Sequence, residues 1–168
     1  VPLLRELPIE VTSVSMVAFC VALGFGIVAP VIPAFAREFG VSALAASSVV
    51  SVFAGMRLAG APLAGKFVDL IGERRTLSFG LAVVSISSFT AGLSQNFWQL
   101  LVLRGLGGLG SVSFSIASMA VIIRVVEPGL RGRASSAWSG GFLLGGLAGP
   151  AVGGVFAAIS LRAPFFVY

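Results

Sequence analysis

Five stretches of this chain run for about 20 residues or more with at most one charge apiece, the length a helix needs to cross the hydrocarbon core of a bilayer. They are residues 11–36, 44–65, 76–93, 97–123 and 134–159, and a sixth opens at 164–168. With 57% of its 168 residues hydrophobic and 10% charged, the chain cannot cover that much apolar surface with a polar shell; a soluble domain carries about 25% charged residues. A closed β-barrel is the other structure that satisfies every backbone group in lipid. Its strands alternate apolar and polar residues over about 10 positions. These runs are twice that length and do not alternate. The expectation is an all-α integral membrane bundle of five complete spans and the start of a sixth, with the lipid bilayer as its first partner.

The charges fall between the runs. The net charge of +5 would suggest nucleic acid in a soluble chain, but here the basic residues occupy the gaps, where the positive-inside rule puts them. Nucleic acid is therefore not expected as a partner. Arg5, then Lys66, Arg74 and Arg75, then Arg124, Arg131 and Arg133 fall on one side, against Arg37 and Arg162 on the other. That asymmetry puts the N-terminus and both charged loops in the cytoplasm. The first apolar run is too long for a cleavable signal peptide and lacks a small-residue cleavage site, so none is expected. The one cysteine, Cys20, cannot close an internal disulfide and is expected as a small apolar packing residue. With no histidine in the chain, neither a metal cluster nor a cofactor is expected.

Two arginines interrupt the runs. A charge at the bilayer centre costs about 2.5–3.5 kcal/mol on insertion scales, so such a residue normally faces a cavity or a partner. Arg104 lies about two turns inside the fourth span, too deep to belong to a loop. Arg57 lies past the middle of the second, where snorkelling toward an interface is the competing reading. The fifth span carries Gly141, Gly145, Gly149 and Gly153 at intervals of four, which lines them along one helix face. Each glycine costs about 1 kcal/mol against alanine in a helix, so the ridge points to a backbone that must come close. Pro150 removes a backbone donor beside it. Residues 105–110, GLGGLG, match G-x-G-x-x-G, but a dinucleotide site needs that motif between a strand and a helix. Inside an apolar span the small residues instead make room beside Arg104. Asp69, shortly before Gly72, is either a turn residue or an ion-pair hub with Arg74 or Arg75.

Four segments together resemble the major facilitator superfamily. Residues 65–75, GKFVDLIGERR, resemble its signature between helices two and three, with Gly65, Asp69, Gly72 and Arg74 matching and Leu70 and Glu73 at two usually basic positions. Residues 104–110, RGLGGLG, resemble the fourth-helix motif, with Gly107 where glutamine is usual. Residues 145–154, including Gly149, Pro150, Gly153 and Gly154, resemble the fifth-helix antiporter motif. Gly24, Pro30 and Pro33 resemble the first-helix motif. The first- and fifth-helix segments resemble the twelve-helix drug:proton antiporter branch in particular.

The resemblance implies the N-terminal six-helix bundle of a two-bundle carrier, built as a 3+3 inverted repeat and set in the plasma membrane. Gly60, Ala61 and Pro62 in the second span echo Gly149 and Pro150 in the fifth. It implies alternating access for a small solute, with efflux of hydrophobic or drug-like compounds driven by protons, and a C-terminal six-helix half as partner. Gly65, Asp69, Gly72, Arg74 and Arg75 would form a cytoplasmic latch, and Arg104, with Arg57, the charged machinery of proton coupling. The glycine face of the fifth span would pack on the opposite bundle. Coupling needs a carboxylate in a cavity, and none of Glu6, Glu10, Glu38, Asp69, Glu73 and Glu127 is deep in a span. The carboxylate then belongs to the second half, or Glu38 serves from the outer end. Phe25, Phe53, Met56 and Phe114 are candidates to line the solute path. The alternative is a truncated, non-transporting membrane protein that acts only through helix–helix assembly. An intramembrane enzyme is not expected, because no serine has a visible base partner and no histidine exists.

Overall fold

Apolar runs in lipid must hydrogen-bond their own backbones, and helices do so within each run. The computed structural model describes residues 7–168, so Arg5 and Glu6 lie outside the described residues. Helix α1 (Ile9–Val28) is followed by the short α2 (Ile32–Arg37). Pro30 has no N–H to continue α1, so the chain makes one tight turn, with Val31 N bonded to Val28 O at 3.0 Å, and restarts with Pro33 in the first turn of α2. Next come α3 (Ala43–Ile71) and α4 (Glu73–Gly92), separated by Gly72 alone, whose φ of +84° reverses the chain at a conformation that favours glycine. Helix α5 (Phe97–Val125) and a 3-10 turn (Pro128–Leu130) lead into α6 (Arg131–Ile159), and α7 (Ala163–Val167) follows.

The caps are written locally. The Ser42 hydroxyl accepts from Ala45 N at 3.2 Å at the start of α3. The Asn96 side chain accepts from Gln99 N at 2.9 Å, while the Gln99 side chain accepts from Gln95 N at 2.9 Å. This reciprocal arrangement fixes where α5 begins. No strand occurs among the described residues.

Four segments are long and apolar enough to cross a membrane: Ile9–Arg37, Ala43–Ile71, Phe97–Val125 and Pro128–Ile159. The expected third span, 76–93, forms helix α4 but does not reach that standard. The helix opens on Glu73, Arg74 and Arg75 and carries serine and threonine through its length. What places α4 in the bundle is its packing on α5 rather than its hydropathy.

Long helix pairs organise the molecule: α1 runs along α6, α3 runs along α5, and α4 covers a further face of α5. Half or more of α1 and α5 is buried, against less than a quarter of α3 and α6. Glycine sets these contacts. Side chains added at Gly141, Gly145, Gly149 and Gly153 would run into the α1 backbone at Ser15, Phe19, Gly26 and Ile27 respectively. The expectation that this face is turned toward an opposing bundle is therefore corrected: α1 of the same bundle covers it. Gly154 takes no part in that contact. It sits one residue beyond the ridge, about 100° round the helix, and faces open space.

The GLGGLG run is a packing ridge with two faces. Gly105 and Gly108 lie against Val52 and the Phe53 carbonyl of α3, while Gly107 and Gly110 lie against Ser87 and Gly80 of α4. Cys20, expected to pack inside, is exposed on α1. Phe114 is fully buried among Ala18, Val21 and Trp138 and belongs to the core rather than to a solute path.

The ridge makes a prediction. Gly149→Val should destabilise the detergent-purified protein by about 1–3 kcal/mol, the cost of overpacking, whereas Gly146→Val, at a position with no neighbour within 4 Å, should change the thermal midpoint little. Equal shifts for the two substitutions would mean that the α1–α6 contact does not hold the bundle together.

Candidate functional site

Arg104 is fully buried, with 0% of its surface exposed, and is the largest side chain enclosed in the bundle. A guanidinium cannot shed its charge under physiological conditions, so its surroundings must answer it. Two elements do so. Phe53 of α3 presents its ring 4.8 Å from the guanidinium carbon, within cation–π range. Ser88 of α4 accepts a hydrogen bond from Nη1 at 3.2 Å. The hydroxyl of Tyr168, just past α7, is buried as well and makes no hydrogen bond to Arg104. Snorkelling is therefore not how Arg104 is accommodated.

Arg57 is half-buried and turns inward as well. Its Nη1 donates to the Ser111 hydroxyl of α5 at 3.0 Å. The spacing explains the grouping. Phe53 and Arg57 are four apart on α3, and Arg104 and Ser111 are seven apart on α5, so each pair shares a helix face. The glycines of α5 bring those two faces together. Gly24 of the first-helix segment completes the arrangement: a side chain there would overlap the Tyr168 ring.

The cluster is not saturated. Arg104 Nε and Nη2 and the Tyr168 hydroxyl are buried and have no hydrogen-bond partner among the described residues. Buried polar groups are nearly always paired, and an unmade bond to a buried charged group costs several times the net worth of an ordinary one. Glu38, the expected stand-in acid, is exposed at the end of α2. Phe25 stacks on Phe53 at a centroid distance of 5.0 Å, and Met56 lies beside Gly105 and Gly108.

A second site lies at the turn between α3 and α4. Among the described residues the ion pair there joins Glu73, at the first position of α4, to Arg124 in the last turn of α5. Asp69, Arg74 and Arg75 are exposed, and Asp69 makes no ion pair within 4.0 Å among the described residues. The expected hub on Asp69 with Arg74 or Arg75 is thus corrected. Glu73, where a basic residue is usual in the resembled signature, takes the partner instead, because it faces inward across to α5 while Asp69 faces out. Gly65 has open space where a side chain would be, and Gly72 is required by its backbone conformation.

Arg57 and Ser111, 54 positions apart, meet only because the helices cross, and Ser88 and Tyr168 carried no signal as site residues in the sequence. The seven-residue spacing of Ser111 from Arg104 was the available hint.

A family model described as Major Facilitator Superfamily matches residues 14–168. The chain is 33% identical over 153 residues to the multidrug resistance protein 1 of Bacillus subtilis (strain 168), an alignment covering 88% of this chain and 38% of that relative. It is 29% identical over 153 residues to the quinolone resistance protein NorA of Staphylococcus aureus (strain MRSA252), again covering 88% of this chain and 38% of the relative. The chain therefore spans well under half the length of these curated relatives. With the apolar helices, the buried arginine and a family match over nearly the whole sequence, this multi-pass membrane chain belongs to the major facilitator superfamily.

Proposed function

We propose that this chain is the N-terminal half of an alternating-access carrier that exports hydrophobic or drug-like solutes across the plasma membrane by proton antiport. The observation that carries the reading is the unsaturated Arg104 cluster. A membrane bundle that only assembles has no use for a fully buried guanidinium with two free donors, whereas a carrier needs charge near the midplane to bind and release ions or solute. The names of the two relatives, a multidrug and a quinolone resistance protein, support drug-like solutes.

The helix pairing supports a six-helix, 3+3 inverted half. Exchanging the first three spans for the last three maps the α1–α6 pair onto the α5–α3 pair, two of the three long contacts observed. Helices α3 and α6 correspond in this exchange. Each has 29 residues and carries its proline, Pro62 or Pro150, at the twentieth position. In this arrangement α4 is the third span and α7 opens the sixth. The distribution of basic residues supports a cytoplasmic N-terminus. The largely uncovered faces of α3 and α6 suit contact with a second six-helix half, and Asp69, Arg74 and Gly65, exposed or open here, suit a cytoplasmic latch that closes onto it. The Glu73–Arg124 pair steadies that latch by tying the start of α4 to the end of α5. The reading involves no enzymatic step.

Two outcomes test it. In everted vesicles carrying the full-length protein, Arg104→Ala should lower the initial rate of proton-driven efflux by at least about tenfold, the factor that 1.4 kcal/mol represents. Wild-type rates in a variant that inserts normally would remove Arg104 from the mechanism. At the cytoplasmic turn, Glu73→Arg should shift the balance between inward- and outward-open forms by about two- to fivefold, since exposed pairs contribute about 0–1 kcal/mol. The double exchange Glu73→Arg with Arg124→Glu should restore it. Thiol accessibility of a cysteine placed in the solute path reads both, and a double exchange no better than the single one counts against the latch role.

A further inference from the structure

At the end of the bundle opposite the Gly72 turn, two connections enclose a recess of about 650 Å³, within the range of sites that hold a small organic molecule. The link from α2 to α3 supplies Glu38, Phe39 and Val41, and the link into α5 supplies Gln95, Phe97 and Trp98. Its walls are held in place from behind. Phe39 packs on Phe35 at a centroid distance of 5.3 Å, and Phe97 meets Trp98 edge to face at 5.5 Å. Phe39, Val41 and Phe97 also rest on the buried core around Phe35 and Leu100. The reciprocal cap of Gln95, Asn96 and Gln99 sets where Phe97 and Trp98 begin their helix.

The lining selects one kind of ligand. Aromatic faces carry negative potential, and Glu38 adds a full negative charge that pairs with no cation among the described residues. No lysine or arginine among the described residues lines the recess. Of the cations at this end, Arg162 is engaged elsewhere, 5.2 Å over the Phe35 ring and bonded to the Gly92 carbonyl at 3.3 Å, and Arg37 is exposed. An anion is therefore repelled, and a hard metal ion finds one carboxylate where it wants six or more oxygens. An alkylated ammonium meets both features at once, because its charge is spread over apolar groups that sit well on aromatic rings. We infer that this recess binds an organic cation, an ammonium carried on alkyl or aromatic groups, through Glu38 and the rings of Phe39, Phe97 and Trp98. Two sources can supply the group: a solute, or the headgroup of a lipid, since the recess lies at helix ends and the exposed Trp98 is a residue type that gathers at headgroup level.

The experiment titrates benzyltrimethylammonium, and its uncharged isostere neopentylbenzene, into the full-length protein in an uncharged detergent. Tryptophan is replaced by fluorotryptophan, and the Trp98 signal in the fluorine NMR spectrum is identified by its loss in Trp98→Phe. That signal reports on the recess itself, so a cation bound elsewhere in a carrier is not mistaken for one bound here. The signal should move saturably with the cation, and the isostere should bind at least about fivefold more weakly. Glu38→Gln should weaken the cation by about three- to fivefold, and Phe97→Leu by a similar factor. Glu38 is exposed, so its variant keeps the test open should Phe97→Leu fail to fold. Nanodiscs distinguish the sources. If a headgroup is the occupant, phosphatidylcholine should hold the signal at its cation-bound position, and the added cation should move it only in phosphatidylglycerol. If a solute is the occupant, the cation should move it equally in both lipids. A signal that does not move saturably in detergent, moves alike with the isostere, or responds unchanged in Glu38→Gln overturns the inference.

Discussion

Contact between helix backbones is the interaction on which this bundle depends. In lipid, burying a leucine against another leucine gains little over burying it against an acyl chain, so helices hold together through close van der Waals packing and interhelical hydrogen bonds. Glycine makes that approach possible. Four glycines let α6 lie against the α1 backbone from Ser15 to Ile27, and the glycines of residues 105–110 let α3 and α4 reach α5 from two sides. The large apolar side chains mostly point the other way: Leu58, Leu70, Leu143, Leu144 and Leu147 are exposed. In a soluble protein that distribution would be inverted. Here it separates the surface turned outward from the surface that meets the next helix.

The same close approach explains how a fully buried arginine is tolerated. Were α5 lined with leucine rather than glycine, α3 and α4 would stand off and Phe53 and Ser88 would not reach the Arg104 guanidinium. A cation–π contact and one hydroxyl bond offset part of the cost of burying the charge, and two donors stay open. Packing and charge are therefore linked: the small residues that hold the bundle together also bring Phe53 and Ser88 to the buried Arg104.

At the other end of the bundle the charge arrangement follows from helix geometry. Gly72 reverses the chain so abruptly that Glu73 becomes the first residue of α4 and turns toward α5. A carboxylate at a helix start and a guanidinium at a helix end each favour their own helix dipole, and Arg124 stands in the last turn of α5. Their pairing joins two termini that already attract the opposite charge. Asp69, about one turn before Glu73, and Arg74, the residue after it, stay exposed.

Membrane residence and helical class were legible in the sequence because lipid imposes its demands run by run: an uncharged stretch of about 20 residues has few other solutions. Arg104 stood out for the same reason, as a charge whose cost is set by depth alone. The glycine ridge announced a close neighbour but not which one, since a period of four names a face and not what covers it. The partners of the site were out of reach: Ser111 meets Arg57 across 54 residues, Ser88 meets Arg104 across a helix turn-around, and Glu73 rather than Asp69 takes the ion pair. The sequence by itself determined that these helices lie in a membrane and which charges they carry into it. Only the tertiary structure decided which charges meet, because the rotation and crossing of each helix come from contacts with all its neighbours at once.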